Sequence, residues 1–313
     1  MGVRRGEGLG YSHVREIQRR RLLAAAAEVV GERGFALVTV ADIVTRAGVS
    51  RRTFYEFFED RTDCFLAAFE DALGFVSGRV VEAYRGEVRW EARIGAALAA
   101  VLAFLDEERE LGVLCVVHAA GGDPRILARR ALILDVLEGA VDEGRAGGRG
   151  RGLSPLTAEG VVGAVLSVIH ARLLQEDPGA VSPLLGSLMG MIVLPYRGAA
   201  AAARELERPA PEVRTQRRVR PADPLEGLGM RLTYRTLRAL YVIVEHPGAS
   251  NREVGDGAGI ADQGQTSKLL TRLETLGLIR NTGEGHTKGA TNAWVLTARG
   301  AEVQGALQTH AER

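Results

Sequence analysis

Thr39–Arg61, TVADIVTRAGVSRRTFYEFFEDR, decides how the rest of the chain is read. It divides into two short helical stretches about Gly48. In the first, Thr39 stands where a side-chain oxygen caps a helix near Asp42, and Val40, Ile43, Val44 and Ala47 recur on one apolar face. Gly48 marks a sharp turn that a residue without Cβ accommodates, Val49 supplies an apolar plug, and Ser50 caps the second stretch. There Phe54, Phe57 and Phe58 turn inward, which leaves Arg51, Arg52, Thr53 and Tyr55 outward near the helix start. Arginines and hydroxyls at that place are the groups that hydrogen-bond guanine edges and phosphates.

The order TV, A, I, AGVSRRTFY, FF and R resembles the DNA-binding region of TetR-type repressors, over roughly residues 15–65. The resemblance implies that Thr39, Ser50, Tyr55 and Arg61 contact phosphates while Arg51, Arg52 and Thr53 lie nearest the bases. Phe57 stands where the family often has histidine, and Arg61 where it usually has lysine. One backbone contact is thus lost and another altered, because the two cations differ in geometry. The resemblance also implies an effector pocket over roughly 87–145 and a four-helix seam with a second subunit over 155–206. The expected protein is a homodimeric repressor, released from an inverted-repeat operator by a small-molecule effector of unknown identity.

Composition sets the outer bounds. With 46% apolar and 25% charged residues over 313, the chain reads as a soluble globular protein of two or three domains. A net charge of +1 provides no global basic field, and residues 1–65 hold 11 arginines against 9 acids, so the DNA reading rests on the motif. Cys64 and Cys115 fall on separate helical segments and make no disulfide framework, which fits a reducing cytoplasm. Cys115, within LGVLCVVHAA, reads as a small core residue rather than a redox sensor. HExxH, CxxC, a nucleophile elbow and His/Cys clusters at metal spacing are all missing, so no catalysis, cofactor or metal is expected. The apolar runs are interrupted by His170, Arg172 or Pro195, and no membrane span is expected.

The fold class expected is mainly all-α, with an α+β unit at the C-terminus. Four segments follow: an arm and helix-turn-helix over 1–61, a helical ligand and dimerisation domain over 62–205, a Pro/Arg-rich linker over 206–224, and a further domain over 225–313. Residues 1–14 read as a flexible arm and 14–30 as a helix. Helices are expected at about 62–84, 90–118, 124–143, 155–175 and 183–206, three of them opened by Asp123-Pro124, Ser154-Pro155 and Ser182-Pro183. GRAGGRGRG at 144–152 reads as a mobile connector. For the effector, Tyr84, Trp90, His118, Asp135 and His170 are the polar or aromatic candidates. Ala164, Val168, Ala171 and Leu174, with Gly186, Gly190 and Ile192, suit close helix packing.

Beyond Met230 the pattern changes to three short helices and a hairpin. Leu232, Leu237, Leu240, Ile243 and Val244 line the first helix, Ser250 to Glu253 and Asp262 to Gln265 form capping boxes, and Leu269, Leu270, Leu273 and Leu276 bury the third helix. NTGEGHTKGATN then forms a polar tip before the return strand Ala293 to Leu296. The wording LTYRTLRAL, LLTRLETLGLI and WVLTARG resembles MarR-type winged helices. In that reading Gln263, Gln265, Ser267, Lys268, Thr271 and Arg272 face outward, with His286 and Lys288 on the wing. Their amides and cations suit bases and phosphates, although a net charge of only +1 over 225–313 leaves protein docking as the alternative.

Overall fold

The computed structural model describes residues 5–120, 123–146, 148–175, 179–208, 233–283 and 291–309. These are mainly helical, with a two-stranded sheet. Contacts gather the chain into two units: Met1–Leu22, Val44–Phe57 and Arg220–Arg313 in one, Leu23–Ile43 and Phe58–Val219 in the other.

Helix α1 (Arg5–Arg33) begins where the sequence suggests a loose arm. Gly6, Gly8 and Gly10 conceal it, since a glycine costs roughly 1 kcal/mol against alanine in a helix and the apolar repeat starts only at Val14. After Gly34 and a 3₁₀ turn at Phe35–Leu37 come α2 (Val40–Ala47) and α3 (Arg51–Tyr55). Gly48 between them has φ +65°, the left-handed conformation that the turn requires of a residue without Cβ. The Val49 amide donates back to the Val44 carbonyl at 3.1 Å, which closes the turn.

The second unit holds α4 (Arg61–Arg85), α5 (Trp90–Glu107), α6 (Arg109–Val116), α7 (Pro124–Asp142), α8 (Leu156–Leu173), α9 (Leu185–Arg197) and α10 (Ala199–Glu207). Two expected helices are each divided. The stretch 90–118 breaks at Glu108 (φ −128°, ψ 59°), so that α6 folds back and Gly112 lies against Leu105, where a Cβ would come within 2.7 Å of Cδ2. The stretch 183–206 breaks at Gly198 (φ +84°), just past Pro195, and α10 turns back onto α9. GRAGGRGRG is not a loose connector: it holds 3₁₀ turns at Glu143–Ala146 and Gly148–Gly152. Arg145 ties them to Asp142 at 2.7 Å and to the Leu153 carbonyl. Phe65, Phe69, Leu102, Phe104, Leu114, Ile169 and Leu188 are fully buried in this unit. Arg79 and Glu107 form an ion pair at 2.7 Å with both side chains only 11% exposed, which fixes α4 against α5. By length and composition α8 is apolar enough to cross a membrane, despite His170 and Arg172. In this bundle it packs against α7 and α9 through Val162, Val165 and Ile169.

The C-terminal segment contains α11 (Tyr234–Glu245), α12 (Asn251–Ala258), α13 (Gln263–Thr275), β1 (Ile279–Asn281), β2 (Trp294–Leu296) and α14 (Ala298–Thr309). The strands are antiparallel, with Ile279 opposite Leu296 and Asn281 opposite Trp294. Leu237, Leu240, Ile243, Leu270 and Leu273 are buried as the periodicity expects, whereas Val244 is exposed at the end of α11 and Leu232 lies outside the described residues. Ser250 and Glu253 make a full capping box. Asp262 accepts from the Gln265 amide at 2.9 Å, but the Gln265 side chain turns to Arg235 at 3.3 Å, so only half of the second box forms. Asn251 joins three elements: its Oδ1 accepts from Trp294 Nε1 and Asn292 Nδ2, and its Nδ2 donates to Ser267 Oγ.

Candidate DNA-binding surface

The exposed face of α3 owes its order to what lies beneath and before it. Ser50 accepts from the Thr53 amide at 3.0 Å, and the two hydroxyls are 2.9 Å apart, so the half-buried Thr53 is engaged with the cap. Phe54 is fully buried with its ring edge-on to Tyr55, while Tyr55 is 59% exposed. Arg51 and Arg52 face solvent, and the Arg52 side chain, 90% exposed, makes only a surface ion pair with Glu56 at 3.3 Å. Such a pair is worth under about 1 kcal/mol and yields readily to a phosphate or a base. Of the three phenylalanines, Phe54 and Phe58 are core, and the half-buried Phe57 lies under the Arg15 guanidinium at 4.5 Å.

Thr39 caps α2 as expected, with the Asp42 amide donating to its hydroxyl oxygen at 3.3 Å. Its own hydroxyl donates to Asp42 Oδ2 at 2.6 Å, and Arg33 reaches the other carboxylate oxygen at 3.0 Å. Bonds from the Thr39 hydroxyl and amide, then the Arg33 charge, hold the Asp42 carboxyl below the usual carboxylate range. Thr39 therefore serves the cap first, and its exposed edge is what remains for a phosphate.

Arg61 stands differently from the phosphate contact that the resemblance implies. Its Nη1 donates to the carbonyls of Phe35, Ala36 and Val38 at 3.3, 3.2 and 2.6 Å, and its guanidinium lies 4.9 Å from the Phe35 ring. This is a brace on the turn between α1 and α2, for which the planar fork of arginine is suited and a lysine ammonium is not. Arg61→Ala is expected to lower the unfolding free energy by roughly 1–3 kcal/mol, read from thermal melts without DNA. An unchanged melt with weakened DNA binding would return the residue to the phosphate role.

On α13, Gln263, Gln265, Ser267, Lys268, Thr271 and Arg272 are all exposed, and Lys288 and His286 lie outside the described residues. Gln265 and Ser267 have partners within the segment, Arg235 and Asn251 respectively.

Of the five effector candidates, His118 and His170 lie close enough to interact, and the others are engaged or exposed. Trp90 is buried, donates to the Ala140 carbonyl at 3.1 Å and packs on Tyr196. Gly144 is close-packed on its ring, where a Cβ would come within 2.5 Å. Tyr84 lies under the Arg93 guanidinium at 4.0 Å, and burial raises its phenol pKa. His118, half-buried near Gly34, has its pKa lowered by burial and then by the charge of His170. Asp135 is exposed on α7. A cavity of about 90 Å³ lies elsewhere, among α5, α9 and α10, lined by Ala92, Gly95, Leu185, Met189, Glu205 and Arg208 among others. Ligand sites of drug size run from roughly 300 Å³ upward. Cys115, with its thiol pushed up to about 12 by burial, lacks the thiolate that redox sensing needs. Gly186 and Gly190 face α10, where Glu205, Leu206 and Ala202 lie within 3.0–3.5 Å of an added Cβ, and Ile192 is buried. These three are used within the chain, whereas Ala164, Ala171 and Leu174 remain exposed on α8 and beyond its end.

Residues 22–68 match the family model described as bacterial regulatory proteins, tetR family. Over 140 residues, 45% of this chain, the sequence is 28% identical to the HTH-type transcriptional activator FasR of Mycolicibacterium smegmatis, and it spans 62% of that protein's length. Among solved structures, the fatty acid degradation regulator FadR from Bacillus halodurans is similar, with a TM-score of 0.51 at 16% identity over 58% of this chain and 97% of that one. The segment that presents Arg51 and Arg52 is thus a TetR-type DNA-binding helix-turn-helix. Over 58% of the chain the fold is like that of FadR.

Proposed function

We propose that this chain is a sequence-specific DNA-binding transcriptional regulator, acting in the cytoplasm as a homodimer and carrying a second reading head at its C-terminus. The observation that supports it most is the α3 face: Arg51, Arg52 and Tyr55 stand exposed over a helix locked by the Ser50 cap and the buried Phe54. Arg51→Ala and Arg52→Ala should each lose roughly 1–3 kcal/mol of specific binding and relax base preference, whereas Tyr55→Phe should weaken all sequences alike. Selection from random DNA reads the difference. An unchanged preferred operator in both arginine variants would rule them out as base readers.

In this reading residues 1–61 form the head, 62–205 the effector and dimerisation domain, 206–224 the linker and 225–313 a winged helix. The default mode is repression relieved by a small molecule, which requires unequal effector affinity for two conformations. The FasR relative is described as an HTH-type transcriptional activator, the opposite sign of regulation. The small exposed residues of α8, Gly160, Gly163, Ala164 and Ala171, suit close approach of a second copy. Sedimentation at micromolar concentration should give the mass of two chains, and the operator should be an inverted repeat. A one-chain mass with an asymmetric footprint would defeat the dimer.

The second reading, a protein-docking role for the C-terminal segment, is favoured by its weak net charge. The exposed amides and Lys268 on α13 favour DNA.

A further inference from the structure

In the first half of α1, HVREIQRRR at 13–21, the large aliphatic residues are Val14 and Ile17, three apart and so on one side of the helix, amid Arg15, Glu16, Arg19, Arg20 and Arg21. On a helix at the end of a tethered chain, such a pair would be left in water. Instead Val14 is 2% and Ile17 6% exposed, and both belong to the buried cluster built by Leu237, Leu240, Ile243, Leu270 and Trp294 of the C-terminal segment. Gln18, on the same stretch, is 7% exposed. Arg15 between them reaches the other way: it meets the Glu56 carboxylate at 3.7 Å and the Glu56 carbonyl at 3.4 Å, and covers the Phe57 ring. Residues 1–22, the α3 region and the C-terminal segment accordingly share one contact unit.

We propose that the first half of α1 is an intramolecular docking strip: Val14 and Ile17 complete the core of the C-terminal segment, and Arg15 fastens the same strip to the end of the recognition helix. The partner is this chain's own C-terminal segment, residues 233–283 and 291–309, and the two reading faces travel as one body rather than as beads on a string. An aliphatic side chain removed from water, rather than a charge pair, supplies the adhesion, so high salt leaves it intact. The proposal does not depend on whether α13 reads DNA.

A specific protease site placed within 209–224 of the full-length chain tests it, with the cut protein run on gel filtration with light scattering in 0.5 M salt. The C-terminal fragment should stay with the remainder and elute in one peak. In cut Ile17→Asp protein it should be lost from that peak, while cut Ile17→Leu protein retains it. Separation of the fragments in the cut wild type overturns the proposal outright, with no substitution involved. Retention by Ile17→Asp overturns the role given to α1.

Discussion

Gln263→Glu combined with Lys268→Glu in the full-length protein should cost roughly 10- to 100-fold in affinity for an extended operator and flatten its salt dependence. One lost charge-assisted contact is worth about 1.5–3 kcal/mol, and the new carboxylates repel phosphate as well. Both positions are exposed on α13, and Gln263 opens the helix, where an acid suits the dipole, so the substitutions spare the fold. Each phosphate no longer neutralised removes about 0.9 from the slope of log affinity against log salt, which separates a DNA-reading role from a general loss of stability. Titrations at four salt concentrations, on a long site and on one trimmed to the α3 half-sites, provide the readout. On the trimmed site the variant should match the wild type. If the two proteins show the same slope on the long site as well, α13 is not a DNA reader, and the protein-docking alternative takes its place.

The helix-turn-helix was legible because each of its signals is local. Thr39 and Ser50 cap within three residues, Gly48 supplies its own φ, and Phe54 against Tyr55 is a matter of helix phase. The break at Glu108 was hidden, since no glycine or proline stands at it; α6 folds back because Gly112, four residues later, lets Leu105 in. At Gly198 both signals, Pro195 and the glycine, were present, yet the apolar repeat runs on past them, because α10 buries Ala202 against α9 after reversing direction. Arg61 shows the limit of carrying a role over by position. The turn carbonyls it holds are 23 to 26 residues earlier in the chain, and nothing in FEDRTD announces them. Trp90 likewise looked like a ligand contact until Gly144, Ala140 and Tyr196 were seen to enclose it. Burial by distant partners is the information that periodicity lacks. Val14 and Ile17 are of this kind too, since their spacing shows a stripe without showing what covers it.

Gly300→Ala should be the most damaging single methyl in the C-terminal segment, at about 3 kcal/mol or more. At that position a Cβ would sit 1.9 Å from the Leu278 carbonyl oxygen and 2.9 Å from its carbon, both backbone atoms that no rotamer change can move. The closeness is built by Thr297, whose amide donates to the Leu278 carbonyl at 3.1 Å and whose hydroxyl oxygen accepts from the Gly300 amide at 3.0 Å. Making room for the methyl pulls α14 from the start of β1, breaks the Thr297 bond to Leu278 and opens the core at Val303 and Leu278, which are 5% and 0% exposed. Gly305 in the same helix is the internal control: nothing lies within 4 Å of its added Cβ, so Gly305→Ala should stabilise by roughly 0.5–1 kcal/mol through helix propensity alone. Opposite shifts in the melting temperature of two Gly→Ala variants five residues apart separate close backbone approach from propensity. If Gly300→Ala melts with the wild type, α14 does not cross β1 at this distance, and the hairpin lacks the support that would hold a wing against DNA.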